Sequence, residues 1–89
     1  MVIDIHRYNS NLTELEDILE KNIIELIVSN NLLASLPVKL FTLNHLRILN
    51  LSGNRLTDVK GISKLHKLEQ LDVSNNLLTD LHKCPLKRL

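Results

Sequence analysis

IIELIVSNNLL (23–33), LRILNLSGNRL (46–56) and LEQLDVSNNLL (68–78) are three segments of this 89-residue chain that align without gaps. All three fit the pattern L-x-x-L-x-L-x-x-N-x-L, with isoleucine or valine at some leucine positions. Their starts, at Ile23, Leu46 and Leu68, are 23 and then 22 residues apart. A pattern that recurs at such a period predicts a stack of repeated structural units.

Each repeat contains a trio of residues that predicts one short β-strand: Leu26–Val28, Leu49–Leu51 and Leu71–Val73. Successive residues of a strand face opposite sides, so we expect the outer two residues of each trio to enter a common interior. The longer arcs between the strands must travel around the outside of the stack. A curved solenoid with parallel strands on its concave side follows from this arrangement.

The asparagine of each repeat lies where the chain turns out of the strand. These residues are Asn31, Asn54 and Asn76. An amide side chain at this position both donates to and accepts from backbone groups that the turn leaves unpaired. We therefore predict a structural ladder of asparagines along the stack.

The three segments resemble the leucine-rich repeat family, and with their arcs the resemblance covers residues 23–81. It implies an α/β fold, a right-handed solenoid with short parallel strands on the concave face. The first arc, SLPVKLFTLNHL (35–46), resembles the typical cytoplasmic arc, in which Pro37 restricts φ as the chain enters a turn or short helix. The second arc, TDVKGISKLHKL (57–68), resembles the 22-residue class found in a phosphatase regulatory subunit and a dynein light chain.

The chain divides into an N-terminal cap, residues 1–22, and three repeats, residues 23–89. Residues 11–22 have the apolar spacing of an amphipathic helix that would shield the first repeat, with Val2, Ile3 and Ile5 as an irregular extra strand beneath it. No polar closing element follows the third repeat. We expect this incompletely capped end to be covered by further chain or by another molecule.

The composition argues against several classes of partner. A formal net charge of +1 and 2% aromatic residues disfavour binding to nucleic acid or to an anionic membrane. The lone cysteine, Cys84, excludes a disulfide framework, and no apolar run has the length of a signal peptide core or a membrane span. These features predict a cytoplasmic protein. Residues 1–30 carry a net charge of −4 and the remainder +5.

The chemistry-bearing residues do not form a recognisable catalytic or metal site. The four histidines lie in the N-terminal segment and the arcs, without a carboxylate or nucleophile at a useful spacing. His82 and Cys84 would supply only two of the four ligands of a structural zinc site. Gly53 and Gly61 stand singly, so no phosphate-binding loop is present. We therefore predict a protein that is not an enzyme and has no cofactor.

The resemblance implies that a protein partner binds the concave face through strand residues that do not enter the core. These are Glu25, Ile27, Ser29, Ile48, Asn50, Ser52, Gln70, Asp72 and Ser74. The suggested settings are cytoskeletal, ciliary or centrosomal assembly and phosphatase regulation. Two alternatives remain open: a structural protein that forms homodimers through its C-terminal end, and the targeting domain of a larger enzyme.

The asparagine ladder leads to a stability prediction. Asn54→Leu should lower the melting temperature more than substitution of any surface asparagine, because it leaves buried backbone groups unsatisfied at a cost of about 1–3 kcal/mol. Thermal unfolding followed by circular dichroism measures the difference. An unchanged melting curve for Asn54→Leu would refute the ladder.

Overall fold

Four short parallel strands form one sheet in this computed structural model, which describes residues 2–4, 19 and 22–78. The strands are β1 (Val2–Asp4), β2 (Glu25–Ile27), β3 (Ile48–Asn50) and β4 (Gln70–Asp72), and they neighbour one another in chain order. The predicted solenoid arrangement of one parallel strand per repeat is therefore confirmed. Each strand begins one residue earlier than the sequence pattern predicted.

The register of the sheet follows the repeat period. Leu26 is aligned with Leu49, and Leu49 with Leu71, so equivalent positions of successive repeats lie side by side. Backbone bonds extend this alignment past the strand ends: the Val28 N–H donates to the Asn50 carbonyl at 2.9 Å, and the Leu51 N–H donates to the Asp72 carbonyl at 2.8 Å.

Strand β1 extends the same alignment toward the N-terminus. Val2 and Ile3 were predicted to belong to an irregular extra strand, and both lie in β1, where Ile3 is aligned with Leu26. The strand is regular in register. The predicted capping helix at 11–22 lies outside the described residues except for Leu19 and Asn22, and Leu19 is buried in the core. Ile5 and residues 79–89 also lie outside them.

The core is a continuous aliphatic column that runs through all the described coils. The predicted inward residues of each strand trio are buried, as expected. Leucines and isoleucines from the arcs meet them from the other side. The buried apolar residues are Leu19, Ile23, Leu26, Val28, Leu33, Leu40, Leu43, Leu46, Leu49, Leu51, Leu56, Val59, Ile62, Leu65, Leu68, Leu71 and Val73. Each coil thus completes its interior only with its neighbours.

Both arcs contain a short 3₁₀ helix, at Val38–Thr42 and Ile62–Lys64, and the described residues include no α-helix. Pro37 precedes the first helix with φ −69° and ψ 144°, as its fixed ring geometry allows. Gly61 precedes the second helix with φ 93°, in the left-handed region that favours glycine. The sequence predicted a turn or short helix after Pro37, and the structure has the short helix.

Phe41 joins the two arcs. Its side chain is half-buried and packs against the core. A Cβ atom built on Gly61 would lie 2.8–2.9 Å from three ring atoms of Phe41. The ring therefore packs directly on the glycine backbone, and glycine is required at this position by both its φ and its neighbour.

The asparagine ladder is confirmed, and its central member connects two coils. The Asn54 amide donates to the carbonyls of Leu51 at 2.9 Å and Ser52 at 3.3 Å in its own coil. It also donates to the Val28 carbonyl of the preceding coil at 3.1 Å, and its oxygen accepts from the Leu33 N–H at 3.2 Å. The side chain therefore replaces backbone pairing that a turn cannot supply.

Asn31 and Asn76 repeat this geometry in the flanking coils. The Asn31 amide donates to the Val28 and Ser29 carbonyls, at 2.8 and 3.1 Å. The Asn76 amide donates to the Leu51 carbonyl of the preceding coil at 2.8 Å, and its oxygen accepts from the Leu56 N–H at 3.0 Å. Within the described part of the chain, every buried side-chain nitrogen and oxygen has a hydrogen-bond partner.

The Phe41–Gly61 contact gives a second stability prediction. Gly61→Ala should destabilise the fold by about 2–3 kcal/mol, because the added methyl overlaps a rigid ring and the backbone is left-handed. Phe41→Leu/Gly61→Ala should cost less than the sum of the two single variants, since the smaller side chain relieves the overlap. Urea denaturation of the four proteins measures the coupling. Strict additivity would contradict the contact.

Candidate protein-binding face

Six residues of β2, β3 and β4 point away from the core, and together they are called the outer sheet face. Glu25, Ile48 and Gln70 are aligned across β2, β3 and β4 and form its first row. Ile27, Asn50 and Asp72 are aligned in the same way and form its second row. The structure therefore brings together six of the nine residues that the sequence assigned to the concave face, and the other three are the serines that follow the strands.

An open groove of about 970 Å³ lies over the outer sheet face and continues past β4 to Leu78. Five of its lining residues belong to β2 and β3: Glu25, Ile27, Ile48, Leu49 and Asn50. The outward residues of β2 and β3 are half-buried, whereas Gln70 and Asp72 of β4 are exposed. Accessibility therefore increases toward the last described strand.

Ile27 and Ile48 give the groove an apolar centre. They lie diagonally on neighbouring strands, two residues out of alignment, because Ile48 pairs with Glu25 and Ile27 pairs with Asn50. Both keep part of their surface in water, as predicted, although each is half-buried rather than fully exposed. An aliphatic pair bordered by polar side chains is the usual composition of a protein-binding patch.

The three serines that follow the strands differ in their environment. Ser29 is only 8% exposed and presents little surface to a partner, whereas Ser52 is half-buried and Ser74 is exposed. Ser52 and Ser74 each donate hydrogen bonds to the side chain two residues earlier in the chain. The Asn50 oxygen accepts from the Ser52 N–H at 3.0 Å and from its hydroxyl at 2.7 Å.

Asp72 makes the same pair of bonds in the next coil. Its Oδ1 accepts from the Ser74 N–H at 3.0 Å and from the Ser74 hydroxyl at 2.7 Å. Such a bond from an Asn or Asp oxygen to the backbone two residues on is a local turn preference of these residues. The sequence reading missed it, although Asn or Asp followed two residues later by Ser was its visible signal.

An ion pair links the second and third repeats at the edge of the groove. Arg47 donates to both carboxylate oxygens of Glu69, at 2.7 and 2.9 Å from one nitrogen. These hydrogen bonds, together with the charge of Glu69, raise the pKa of Arg47 above its ordinary value. Both side chains are exposed. The pair was not predicted, although both residues occupy the same position of their repeats.

A second apolar feature lies outside the groove. Leu32 and Leu77 occupy the position after the ladder asparagine, and they are 43% and 58% exposed. Arg55 is the equivalent residue of the middle repeat and is also exposed. Because a charged side chain interrupts the row, the two leucines do not form a continuous apolar patch in this alignment.

Comparison with protein families identifies the fold. A family model described as Leucine Rich repeats (2 copies) matches residues 44–88, which is half of the chain. The chain belongs to the leucine-rich repeat family. Leucine-rich repeat proteins generally act as non-catalytic modules for protein–protein interaction, and the sequence similarities of this chain indicate such a module.

Three relatives illustrate the range of proteins that share these leucine-rich repeats. The chain is 45% identical over 56 residues to the mouse Leucine-rich repeat and WD repeat-containing protein 1. It is 42% identical over 79 residues to Trophoblast glycoprotein of Macaca fascicularis, and 45% identical over 40 residues to a fission yeast leucine-rich repeat-containing protein. These matches cover 63%, 82% and 45% of the chain, but only 8%, 19% and 6% of the relatives.

The described residues include no group of three or more His, Cys, Asp or Glu side chains that would hold a metal ion. His45 and His66 lie exposed in the arcs, as predicted, whereas His6, His82 and Cys84 lie outside the described residues. No helix within the described ranges has the length and hydrophobicity needed to cross a membrane.

The structural role of Asp72 can be tested by two substitutions that differ in whether they keep the oxygen that accepts from Ser74. Asp72→Asn should leave the melting temperature unchanged, because Asn50 makes the same two bonds with a neutral side chain. Asp72→Ala should destabilise the stack by about 1 kcal/mol through loss of the Ser74 bonds. Thermal denaturation measures both, with Gln70→Ala on the same exposed strand as the matched control. Equal melting temperatures for Asp72→Ala and Gln70→Ala would contradict a structural role.

Proposed function

We propose that this chain is a non-catalytic module that binds a protein partner through its outer sheet face. The observation that carries the proposal is the neighbouring pair Ile27 and Ile48 at the centre of a groove of about 970 Å³. The polar residues Glu25, Asn50 and Asp72 border this pair. A desolvated apolar centre within a polar rim is the arrangement that gives protein interfaces most of their binding energy.

The outer sheet face is suited to binding because the fold does not depend on most of it. The core residues of the strands, Leu26, Leu49 and Leu71, point the other way and are buried. The backbone of each strand is fixed by its neighbours, so the outward side chains start from defined backbone positions before a partner arrives. Little backbone conformational entropy remains to be lost on binding.

We place this interaction in the cytoplasm. The support is the single cysteine of the chain and the resemblance of the first arc, around Pro37, to cytoplasmic repeats. The same resemblance supports scaffolding in cytoskeletal, ciliary or centrosomal assembly, or regulation of a phosphatase. Identification of the bound partner separates these settings.

Two alternatives use the same fold differently. Strand β4 is paired only with β3 among the described residues, which supports a homodimer formed through the C-terminal end of the stack. In the relatives, the matched stretch is a small part of a much longer protein. A position within a longer protein is what the second alternative requires, in which the module is the targeting domain of a larger enzyme.

Site-specific crosslinking tests the proposed face. A photoreactive amino acid replacing the exposed Gln70 should give one dominant protein adduct in cells, because Gln70 lies on the outer sheet face. The same amino acid replacing Lys64, which is exposed on the second 3₁₀ helix, should not give this adduct. Mass spectrometry of the adducts identifies the captured protein and shows whether it is a second copy of this chain.

A variant of the apolar centre completes the experiment. Ile27→Asp should abolish the Gln70 adduct while the protein remains folded, with a loss of about 1 kcal/mol because the side chain is only half-buried. Equal adducts from Gln70 and Lys64, or an adduct that survives Ile27→Asp, would show that the partner binds elsewhere. Capture of a second copy would favour the homodimer.

A further inference from the structure

Among the described residues, the acidic side chains of the outer sheet face and the basic side chains lie on different surfaces. Glu25 and Asp72 are the charged side chains of the six-residue outer sheet face, and both are acidic. The bases with described side chains lie at other positions, in or beside the arcs and at the strand entrances. They are Lys39, Arg47, Arg55, Lys60, Lys64 and Lys67.

The ion pair at the groove edge does not reverse this acidity. Arg47 is the base closest along the chain to the outward residues of β3, but both of its bonded nitrogens face Glu69. The two charges therefore compensate each other. Glu25 and Asp72 remain as the uncompensated charges of the groove, and they lie on either side of the Ile27–Ile48 pair.

We propose that the partner presents a cationic amphipathic segment, with two basic residues flanking an aliphatic one. This inference rests on the proposed function and specifies the chemistry of its partner. The backbone positions of Glu25 and Asp72 are two strands and two residues apart, or roughly 12 Å. Two lysines seven residues apart on an α-helix are separated by about 10.5 Å and lie on one face of the helix. The residues of that face between the two lysines would contact Ile27 and Ile48.

The same chemistry disfavours other ligands for this face. The phosphates of nucleic acids and anionic lipids would meet two carboxylates and no base on the outer sheet face. A basic segment gains from both carboxylates and covers apolar surface in the same contact. Charge complementarity of this kind steers encounter and selects partners.

A designed peptide tests the inference directly. The probe is an 18-residue alanine- and glutamine-based helix with lysines at i and i+7 and leucines at i+3 and i+4. Two matched peptides replace both lysines by glutamine or by glutamate. Fluorescence anisotropy should rank binding to the full chain as lysine, then glutamine, then glutamate peptide, and the difference should shrink as salt increases.

Two isosteric variants then locate the charges. Glu25→Gln and Asp72→Asn should each weaken binding of the lysine peptide roughly two- to fivefold, the range of a single exposed ion pair. The matched control is Asp58→Asn, which removes an exposed acid from an arc and retains the oxygen that accepts from the Lys60 N–H. This control should bind like the unmodified chain.

Replacing both acids of the outer sheet face by lysine should reverse the preference among the peptides. The Glu25→Lys/Asp72→Lys variant should bind the glutamate peptide better than the lysine peptide, provided that circular dichroism shows the native fold. If this variant does not fold, Glu25→Lys alone should reduce the preference for lysine, because Glu25 makes no side-chain hydrogen bond to the described residues.

The outcomes separate this inference from the proposed function. Equal binding of all three peptides, lost on Ile48→Ala, would overturn the cationic partner and leave the outer sheet face as the binding site. Binding of the lysine peptide that is insensitive to both Ile48→Ala and Asp72→Asn would overturn both. Failure of the lysine peptide to bind at all would overturn the inference, and the Gln70 crosslink would still decide the proposed function.

Discussion

The amide of Asn54 joins two coils, and the rest of the fold depends on such shared interactions. Its nitrogen donates to carbonyls of both coils, and its oxygen accepts from the earlier one. The aliphatic core has the same character, because Leu49 is buried only when the residues before and after it in the stack are present. Sheet register, turn geometry and core burial are therefore properties of the array, and a single repeat has none of them.

Most of the predictions made within one repeat are confirmed, although each strand begins one residue earlier than predicted. The strand positions, the inward leucines and Asn54 follow from a pattern that is complete inside eleven residues. Two kinds of feature were missed: the local bonds from Asn50 and Asp72 to the serines two residues on, and an ion pair between residues one full period apart. Arg47 and Glu69 are 22 positions apart along the chain and meet because the coils stack. Their pairing depends on the charges of the residues at equivalent positions of successive repeats. The period of the hydrophobic residues contains no information about these charges.

The outer sheet face was predicted as a set of equivalent outward positions, but the structure gives its two rows different constraints. In the second row, Asn50 and Asp72 each use one oxygen to hold a serine, so these positions need an acceptor regardless of any partner. In the first row, Glu25 and Gln70 make no side-chain hydrogen bond to the described residues. Specificity is therefore freest to vary in the first row.

The net charge of the chain does not indicate the charge of the outer sheet face. A total of +1 predicts no field, yet it arises from acids and bases on different surfaces. At physiological salt the screening length is about 8 Å, so bases that lie farther than this from Glu25 and Asp72 scarcely reduce the potential above them. A solenoid separates strand residues from arc residues by construction, and a nearly neutral chain can therefore have an acidic sheet face.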